Sequence, residues 1–513
     1  MLEEKIKTIE QLAQIIDQSK KQGKKVALSH GCFDLLHIGH MKHFKEAKKM
    51  ADILVVTVTP DRFINKGPGR PIFSESLRLE ALANLESVDF VALNDSPDAV
   101  SLIKRIKPSF YVKGSEYKDL SFGKRIKEKE AVEQFGGQFV CTQKEEFSSS
   151  SLINSNFDHL SFKVSGFLQK IRAKYTSKDI EQILEKMSSL KVLVIGDPII
   201  DEYHYCRAVG TTTKFPTISA VFQGETKMAG ASLAIARHVA EFAKSVEYIG
   251  IVGDKDNEKE FIKKELSGIN TFLIQVPNRY TTVKRRFVAG NYPTAIDFKE
   301  SPADDYKLFE IAFMNDSLIG PNSEREVIDL IEKRIEDNDL VILADFGHGM
   351  ITPKIINLVK EKARWWAVNA QTNSTNYGFN FITKYKNPDF VCIDEREARL
   401  PLGDRYAKKE DVVRIISERI NCKEIMVSMG KDGVMLKLDD FHYAPALVLK
   451  TVDTVGAGDA VLSMASLCRY LKLEPSITNF LTSVMGALAT QVICNVEPVR
   501  KKKFIKFIKG TLS

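Results

Sequence analysis

The chain has no paired cysteines by spacing: its seven (Cys32, Cys141, Cys206, Cys392, Cys422, Cys468, Cys494) are odd in number, scattered and never in a CxxC. That argues against a disulfide framework and against structural zinc, and fits a reducing compartment. No run approaches the about eighteen consecutive apolar residues that span a bilayer. The start, MLEEKIKTIEQLAQIIDQSKKQGKK, is charged and helical in pattern, without the apolar core of a signal peptide. Together these features predict a cytoplasmic protein with no membrane span. A GxxxxGK[ST] phosphate loop is missing, as are short-period repeats and low-complexity tracts. Neither charge dominates: 74 Lys plus Arg against 67 Asp plus Glu leave +7, a balance that suits anionic small molecules and does not call for nucleic acid. The basic tail RKKKFIKFIK (500–509) reads as a solvated amphipathic helix end, with peripheral membrane association as the alternative.

What is present is apolar periodicity over 513 residues, enough for two or three separately cored domains. KVALSHGCFD reads as a buried strand running into a glycine turn, and MKHFKEAKKM as the amphipathic helix after it. DILVVTVTP, DFVALN, SFYVKG and QFVCT continue as strands alternating with helices, which predicts a parallel sheet covered on both faces. The polar helical stretch over 156–188 reads as a linker. A second series begins at KVLVIGDPIIDEY and runs through SVEYIGIVG, LVILADFGHG, WWAVNAQ, DFVCID and EIMVSMGKDG. TISAVFQGE and TTVKRRFVAGNY are extended segments outside this alternation and predict a small side sheet or lid. The expected fold is therefore α/β in two domains, 1–155 and 189–513, joined by the linker.

Two strand-to-helix junctions carry chemistry. In GCFDLLHIGH, His37 and His40 fall on the first turn of a helix that follows a strand and a glycine. Backbone N–H groups and the dipole there favour a polyphosphate, and imidazoles could donate to its oxygens as charge develops. The stretch is similar to the signature of the cytidylyltransferase-like nucleotidyltransferases, which join a nucleoside triphosphate to a phosphorylated small molecule and release pyrophosphate. That resemblance implies a Rossmann-like domain with nucleotide or phosphate contacts at Gly31, Phe33, Lys66 and Arg70 (NKGPGRP), Arg78, Lys113 (VKGSEY), and Ser148, Ser149 and Ser150 (FSSSSLI). The serines could equally cap a helix, and Arg78 and Lys113 could be plain surface charges. Over residues 25–155 the chain resembles the heptose 1-phosphate adenylyltransferase branch, with His30 where that branch usually carries asparagine.

In DTVGAGDA, the amides of Gly456, Ala457 and Gly458 open a helix and could form an anion hole, with Asp459 at its mouth as base for a hydroxyl. This segment resembles the ribokinase (phosphofructokinase B) family of sugar kinases, whose motifs follow in order over 190–513. The resemblance implies a ribokinase-like α/β sandwich and assigns Asp197, Asp201 and Gly230 to the sugar, Ser428 and Gly430 to the nucleotide, and Glu397 (with Asp394) to magnesium through water. Leu233 stands where that family has asparagine, and Asn369, Ala370 and Gln371 stand where it has DPK.

The pair of domains resembles the heptose 7-phosphate kinase and heptose 1-phosphate adenylyltransferase of lipopolysaccharide precursor synthesis, in reversed order. It implies a bifunctional enzyme using ATP and Mg²⁺, with CTP as the alternative at the amino-terminal domain, and a sugar or sugar phosphate as acceptor. A homodimer is expected by the same resemblance. The rival readings are an alditol phosphate cytidylyltransferase with a partner kinase, and a nucleotide-binding scaffold with an inactive kinase domain.

Overall fold

Residues 26 to 30 are all buried, with no alternation of exposure, as a strand at the centre of a parallel sheet requires. In the computed structural model, which describes residues 4–64, 66–114, 123–142, 161–289, 306–373, 376–447 and 451–512, this strand belongs to the first of two compact units, the first formed by Met1–Ser161 with Lys509–Thr511 and the second by Phe162–Ile508 with Leu512. The first unit holds a five-stranded sheet of β1 (Val26–Gly31), β2 (Ile53–Val58), β3 (Phe90–Leu93), β4 (Phe110–Lys113) and β5 (Gln138–Cys141) in the order β3-β2-β1-β4-β5. Every pairing is parallel. Helices Ile9–Lys21 and Val100–Ile106 cover one face through Leu12, Ile16 and Ile103; helices Ile38–Lys49 and Glu75–Ala83 cover the other through Phe44 and Leu82. The strand order turns back on itself at β1, so the crevice beyond its carboxyl end, at Gly31, is where such a sheet binds ligands.

The second unit is larger. Its main sheet is built from β6 (Lys191–Gly196), β9 (Ser245–Gly253), β10 (Asn270–Val276), β13 (Leu340–Asp345), β14 (Trp366–Ala370), β15 (Phe390–Asp394), β16 (Glu424–Ser428), β17 (Val434–Lys437) and β18 (Phe441–Ala444). They run β10-β9-β6-β13-β14-β15-β16-β17-β18, parallel up to β16 and antiparallel beyond it. A four-stranded side sheet, in the order β12-β11-β7-β8, is formed by β7 (Pro198–Thr211), β8 (Ile218–Gly230), β11 (Thr282–Ala289) and β12 (Tyr306–Phe313). Only Asp197 separates β6 from β7. Gly196 makes that close passage possible, since a Cβ there would sit 2.3 Å from the Ala344 carbonyl oxygen. The first unit is a Rossmann-like domain and the second a ribokinase-like one.

Two stretches settle into the second unit in ways their polarity hid. Helices Phe162–Lys174 and Ser177–Met187 are part of that unit, and the Tyr175 hydroxyl donates to Glu474 (2.6 Å). The tail is a helix, Lys501–Leu512, but not a solvated end: Phe504 and Phe507 are buried and Phe504 packs edge-on against Phe242 at 5.2 Å. Burying those rings outweighs the exposure that the flanking lysines suggested. Among the described residues no helix is long and apolar enough to cross a membrane.

Candidate active sites

In the first unit the site grows out of the turn after β1. Phe33 takes a left-handed conformation (φ 50°), and a Cβ on Gly31 would lie 2.9 Å from its ring. The ring therefore folds back over Gly31 and meets His40 edge-on at 5.3 Å and Phe44 at 5.2 Å. His37 caps the helix by accepting the Gly39 N–H on Nδ1 (3.2 Å). The His37 and His40 ring centroids are 4.0 Å apart. Burial, then the neighbouring His37, His43 and Lys66, push the His40 pKa down to about 3. His43, which shares hydrogen bonds with Ser29 (2.8 Å) and Thr142 (3.1 Å), is pushed down to about 4 by burial and then by Lys113. Both imidazoles are thus neutral near pH 7, crowded by cations in a way that an arriving anion would relieve.

The basic residues divide. Lys66 acts on His40 through its charge. The Arg70 side chain is buried and donates through Nε to Asp34 (2.6 Å), while its Nη1 and Nη2 have no partner among the described residues. A buried guanidinium holding two unmatched donors costs about 1 to 3 kcal/mol for each, so this fork is shaped for an oxyanion or water. Arg78 differs: its guanidinium is spent on the carbonyls of Cys32, Thr59 (3.0 Å) and Phe73 (3.0 Å) and on Asp61, so in this structure it fastens the loop after β1. Lys113 donates to the His30 carbonyl (2.8 Å) at the end of β1. His30 itself is buried, sharing hydrogen bonds with Thr57 (3.1 Å) and Thr59 (3.3 Å). Ser148, Ser149 and Ser150 lie outside the described residues. Sequence reasoning passed over His43 and Asp34; Asp34 stands in the stretch that carries the two expected histidines, and His43 falls one turn beyond His40.

In the second unit, Gly456 adopts φ 84° at the head of helix Ala457–Tyr470, and a Cβ there would collide with the Asn495 side chain (2.1 Å). A Cβ on Gly458 would meet open space, so the helix mouth is clear. The Ala457 amide turns back to the Thr454 carbonyl (3.3 Å), which leaves the amides of Gly456 and Gly458 better placed toward an anion. Asp459 is buried in the first turn. Burial, then Asp201 and Glu397, raise its pKa well above the usual carboxylate range, opposed by the Lys284 ammonium and by the neighbouring Asn495 side chain.

The sugar-side residues separate as well. Asp201 pairs with Arg286 of β11, and Gly230 lets it do so: a Cβ on Gly230 would sit 2.1 Å from the Asp201 carboxylate. Asp197 is occupied otherwise. Its carboxylate accepts the amides of Phe346 (3.3 Å), His348 (3.2 Å) and Met350 (3.1 Å), and burial followed by Asp345 lifts its pKa to about 6. Asp345 is likewise consumed, by Gly347 N–H (2.9 Å), Asn380, Tyr385 and Lys384. These two carboxylates build the loop after β13; among the described residues Asp197 Oδ1 accepts one amide, that of Met350. Leu233 is core, and Asn369 accepts the Asp345 amide (3.2 Å). Missing from the sequence reading were Lys284 and Arg286. Their signal was the period-two alternation in TVKRRFV, which sends Lys284 and Arg286 to one face and Arg285 to the other, where it meets Glu202 (2.6 Å).

Glu397 accepts the amides of Thr372 (3.1 Å) and Asp394 (2.8 Å) and is pushed up to about 7, first by burial. Asp394 caps the helix Glu395–Arg399 and pairs in register with Ser428, so Ser428 and the positive-φ Gly430 stand beside it at the carboxyl end of β16. Among the described residues no cluster of three or more metal-binding side chains is preassembled. A buried carboxylate already bonded to amides fits a divalent ion held through water and through the nucleotide's phosphates.

Residues 28–156 match the cytidylyltransferase-like family model, and residues 378–472 match that of the pfkB family carbohydrate kinases. The chain is 26% identical over 326 residues to the bifunctional protein HldE of Campylobacter jejuni strain RM1221, a match covering 62% of this chain and 66% of that protein, just under two thirds of its length. With the HldE protein of Geotalea uraniireducens it shares 39% identity over 136 residues, 26% of this chain and 27% of that one. The crystal structure of Escherichia coli phosphofructokinase-2 in complex with potassium is 12% identical with a TM-score of 0.50, covering 63% of this chain and all of that one, a likeness of fold. The chain is thus similar to the bifunctional HldE proteins, with the cytidylyltransferase-like match lying ahead of the pfkB match.

Proposed function

We propose that the chain is a bifunctional sugar-activating enzyme, its second unit phosphorylating a sugar or sugar phosphate with ATP and its first unit transferring a nucleotidyl group to a sugar 1-phosphate. The observation that carries this reading is a feature common to both units: a glycine-containing turn opening into a helix mouth that leaves amides or imidazoles open to a polyphosphate. In the second unit, Asp459 takes the proton of the acceptor hydroxyl as its oxygen attacks the γ-phosphorus and ADP leaves. The amides of Gly456 and Gly458 and the Lys284 ammonium face the charge that accumulates. Mg²⁺, when bound, neutralises the phosphates, and Glu397 with Asp394 would hold its water. In the first unit, a phosphate oxygen of the acceptor attacks the α-phosphorus and pyrophosphate leaves, with His37, His40, Lys66 and Arg70 donating to the phosphate oxygens. Neither step needs a covalent intermediate.

The names of the relatives and the adenylyltransferase-like stretch make a heptose phosphate with ATP the first pair to test, and CTP the control. The deciding experiment incubates the full chain with ATP, Mg²⁺ and a panel of sugars and sugar phosphates and identifies by mass what gains a phosphate. Pyrophosphate release from ATP and from CTP is then compared for each sugar 1-phosphate. Sugar-dependent ADP formation supports the kinase reading. Bound ATP with no turnover on any acceptor would support a scaffold instead. We further propose that the chain forms a homodimer through the side sheet, a reading supported by the exposed Phe215, Ile218, Val221 and Phe222 near the β7–β8 turn.

A further inference from the structure

We propose that the acceptor of the kinase step is a sugar that carries no phosphate, so that the anomeric phosphate added by the second unit is the one the first unit consumes, with no dephosphorylation between them. This rests on the kinase reading of the second unit. A phosphate already on the acceptor would need unmatched positive charge, because a dianion leaves water only against charge that compensates it. The cations beside Asp201 and Asp459 are matched already. Arg286 of β11 is held by Asp201 and by Glu310 of β12 (2.9 Å). Lys284, buried, feels Asp201, Glu310 and Asp459 through their charge. Two cations thus meet three carboxylates, and Lys284, beside the base, is taken up by the γ-phosphate as it arrives. Further out, Lys307 of β12 stands 3.4 Å from Asp453, and Lys227 and Arg285 both end on Glu202 (3.0 and 2.6 Å).

What the pocket leaves open is uncharged. His348, in the loop after β13, is buried; its amide donates to Asp197 (3.2 Å), its carbonyl accepts from the Arg279 guanidinium, and its Nε2 lies 3.5 Å from the Asn373 side-chain amide. Its Nδ1 has no partner among the described residues. Burial, then the neighbouring Lys284, push the imidazole down to about 4, so it is neutral near pH 7. A neutral ring edge fixed at so many points suits a sugar hydroxyl, which both donates and accepts, and offers a phosphate dianion no charge. Arg279, which also donates to the Ser317 carbonyl (2.9 Å), and Lys384, held by Asp345, are spent on the loop itself. The pocket's charges therefore favour the free sugar over the heptose phosphate that the resemblance suggests. Because the first unit takes a sugar 1-phosphate, the hydroxyl that reacts is the anomeric one. Its oxygen bonds to the γ-phosphorus, the bond to the ADP oxygen breaks, and its proton passes to Asp459. An oxygen of that new phosphate then bonds to the α-phosphorus of a second nucleotide, and pyrophosphate leaves.

The test gives the full chain and Mg-ATP pairs of acceptors that differ by one phosphate, each free hexose or heptose beside its 6- or 7-phosphate, and reads ADP formation and product mass. The kcat/KM for the free sugar should exceed that for its phosphate by about 100-fold or more, as the approach of like charges costs. Free sugar with excess ATP should yield the nucleoside diphosphate sugar and pyrophosphate in one vessel without a phosphatase. His348→Ala should raise KM for the free sugar about ten-fold, the scale of one lost hydrogen bond, with kcat less affected and KM for ATP unchanged. That unchanged KM for ATP reports that the second unit is folded. A preference for the phosphorylated acceptors, or a KM for the free sugar untouched by His348→Ala, would overturn the inference. ADP formation with neither kind of acceptor would instead sink the kinase reading, so the two failures are told apart.

Discussion

His40 and Lys284 show how single side chains carry charge into these sites. With His40 held down to about 3 and His43 to about 4 by burial and by neighbouring cations, a bound triphosphate raises both, so nucleotide binding to the first unit takes up protons at mildly acidic pH, increasingly as pH falls toward 4. Calorimetry of ATP-analogue binding in buffers of different ionisation heat measures that uptake, which should shrink in His40→Ala. The same variant should lose about 100-fold or more of nucleotidyl transfer, as the removal of an electrostatic donor costs, while kinase activity stays. Lys284 works in the other direction. Its ammonium opposes the burial, Asp201 and Glu397 that raise the Asp459 carboxyl. The rising limb of kinase kcat/KM against pH should therefore move to higher pH in Lys284→Met. A limb that stays in place would mean that Lys284 does not reach the base.

At the scale of elements, the helix mouths depend on backbone that only glycine supplies. Gly456 combines φ 84° with a clash against Asn495 for any Cβ, so Gly456→Ala should abolish kinase turnover and leave nucleotidyl transfer intact, checked by assaying both on one preparation. The carboxylates around the strand ends also set a pH trend. Asp197 and Glu397 are raised to about 6 and about 7 from ordinary values of 3.8 and 4.5. The folded chain therefore holds more protons than the unfolded one in that interval, and their contribution to stability, full below about pH 4, is lost as pH rises toward 7. Glu397→Gln should flatten the fall of Tm between pH 5 and 7. The main strands were legible because buried apolar runs broken by glycine are local signals, and TISAVFQGE and TTVKRRFVAGNY stood out by failing to alternate. The parallel pairing of β7 with β11 was not legible: those strands lie about eighty residues apart, and no short stretch records the contact. Asp197 illustrates the same limit at a site, because the three amides it accepts come from a loop some hundred and fifty residues later.

For the whole molecule, the proposed function requires two chemistries in one chain that share no reactive group. Each unit has its own sheet, its own core and its own phosphate-facing turn, so damage should stay local. The most direct test is equilibrium binding of a non-hydrolysable ATP analogue to the full chain, alongside His40→Ala and Gly458→Glu, the latter placing a carboxylate in the open space at the helix mouth. The prediction is two analogues per wild-type chain and one in each variant, each variant losing a different one. A single site in the wild type, or the loss of both in either folded variant, would contradict it.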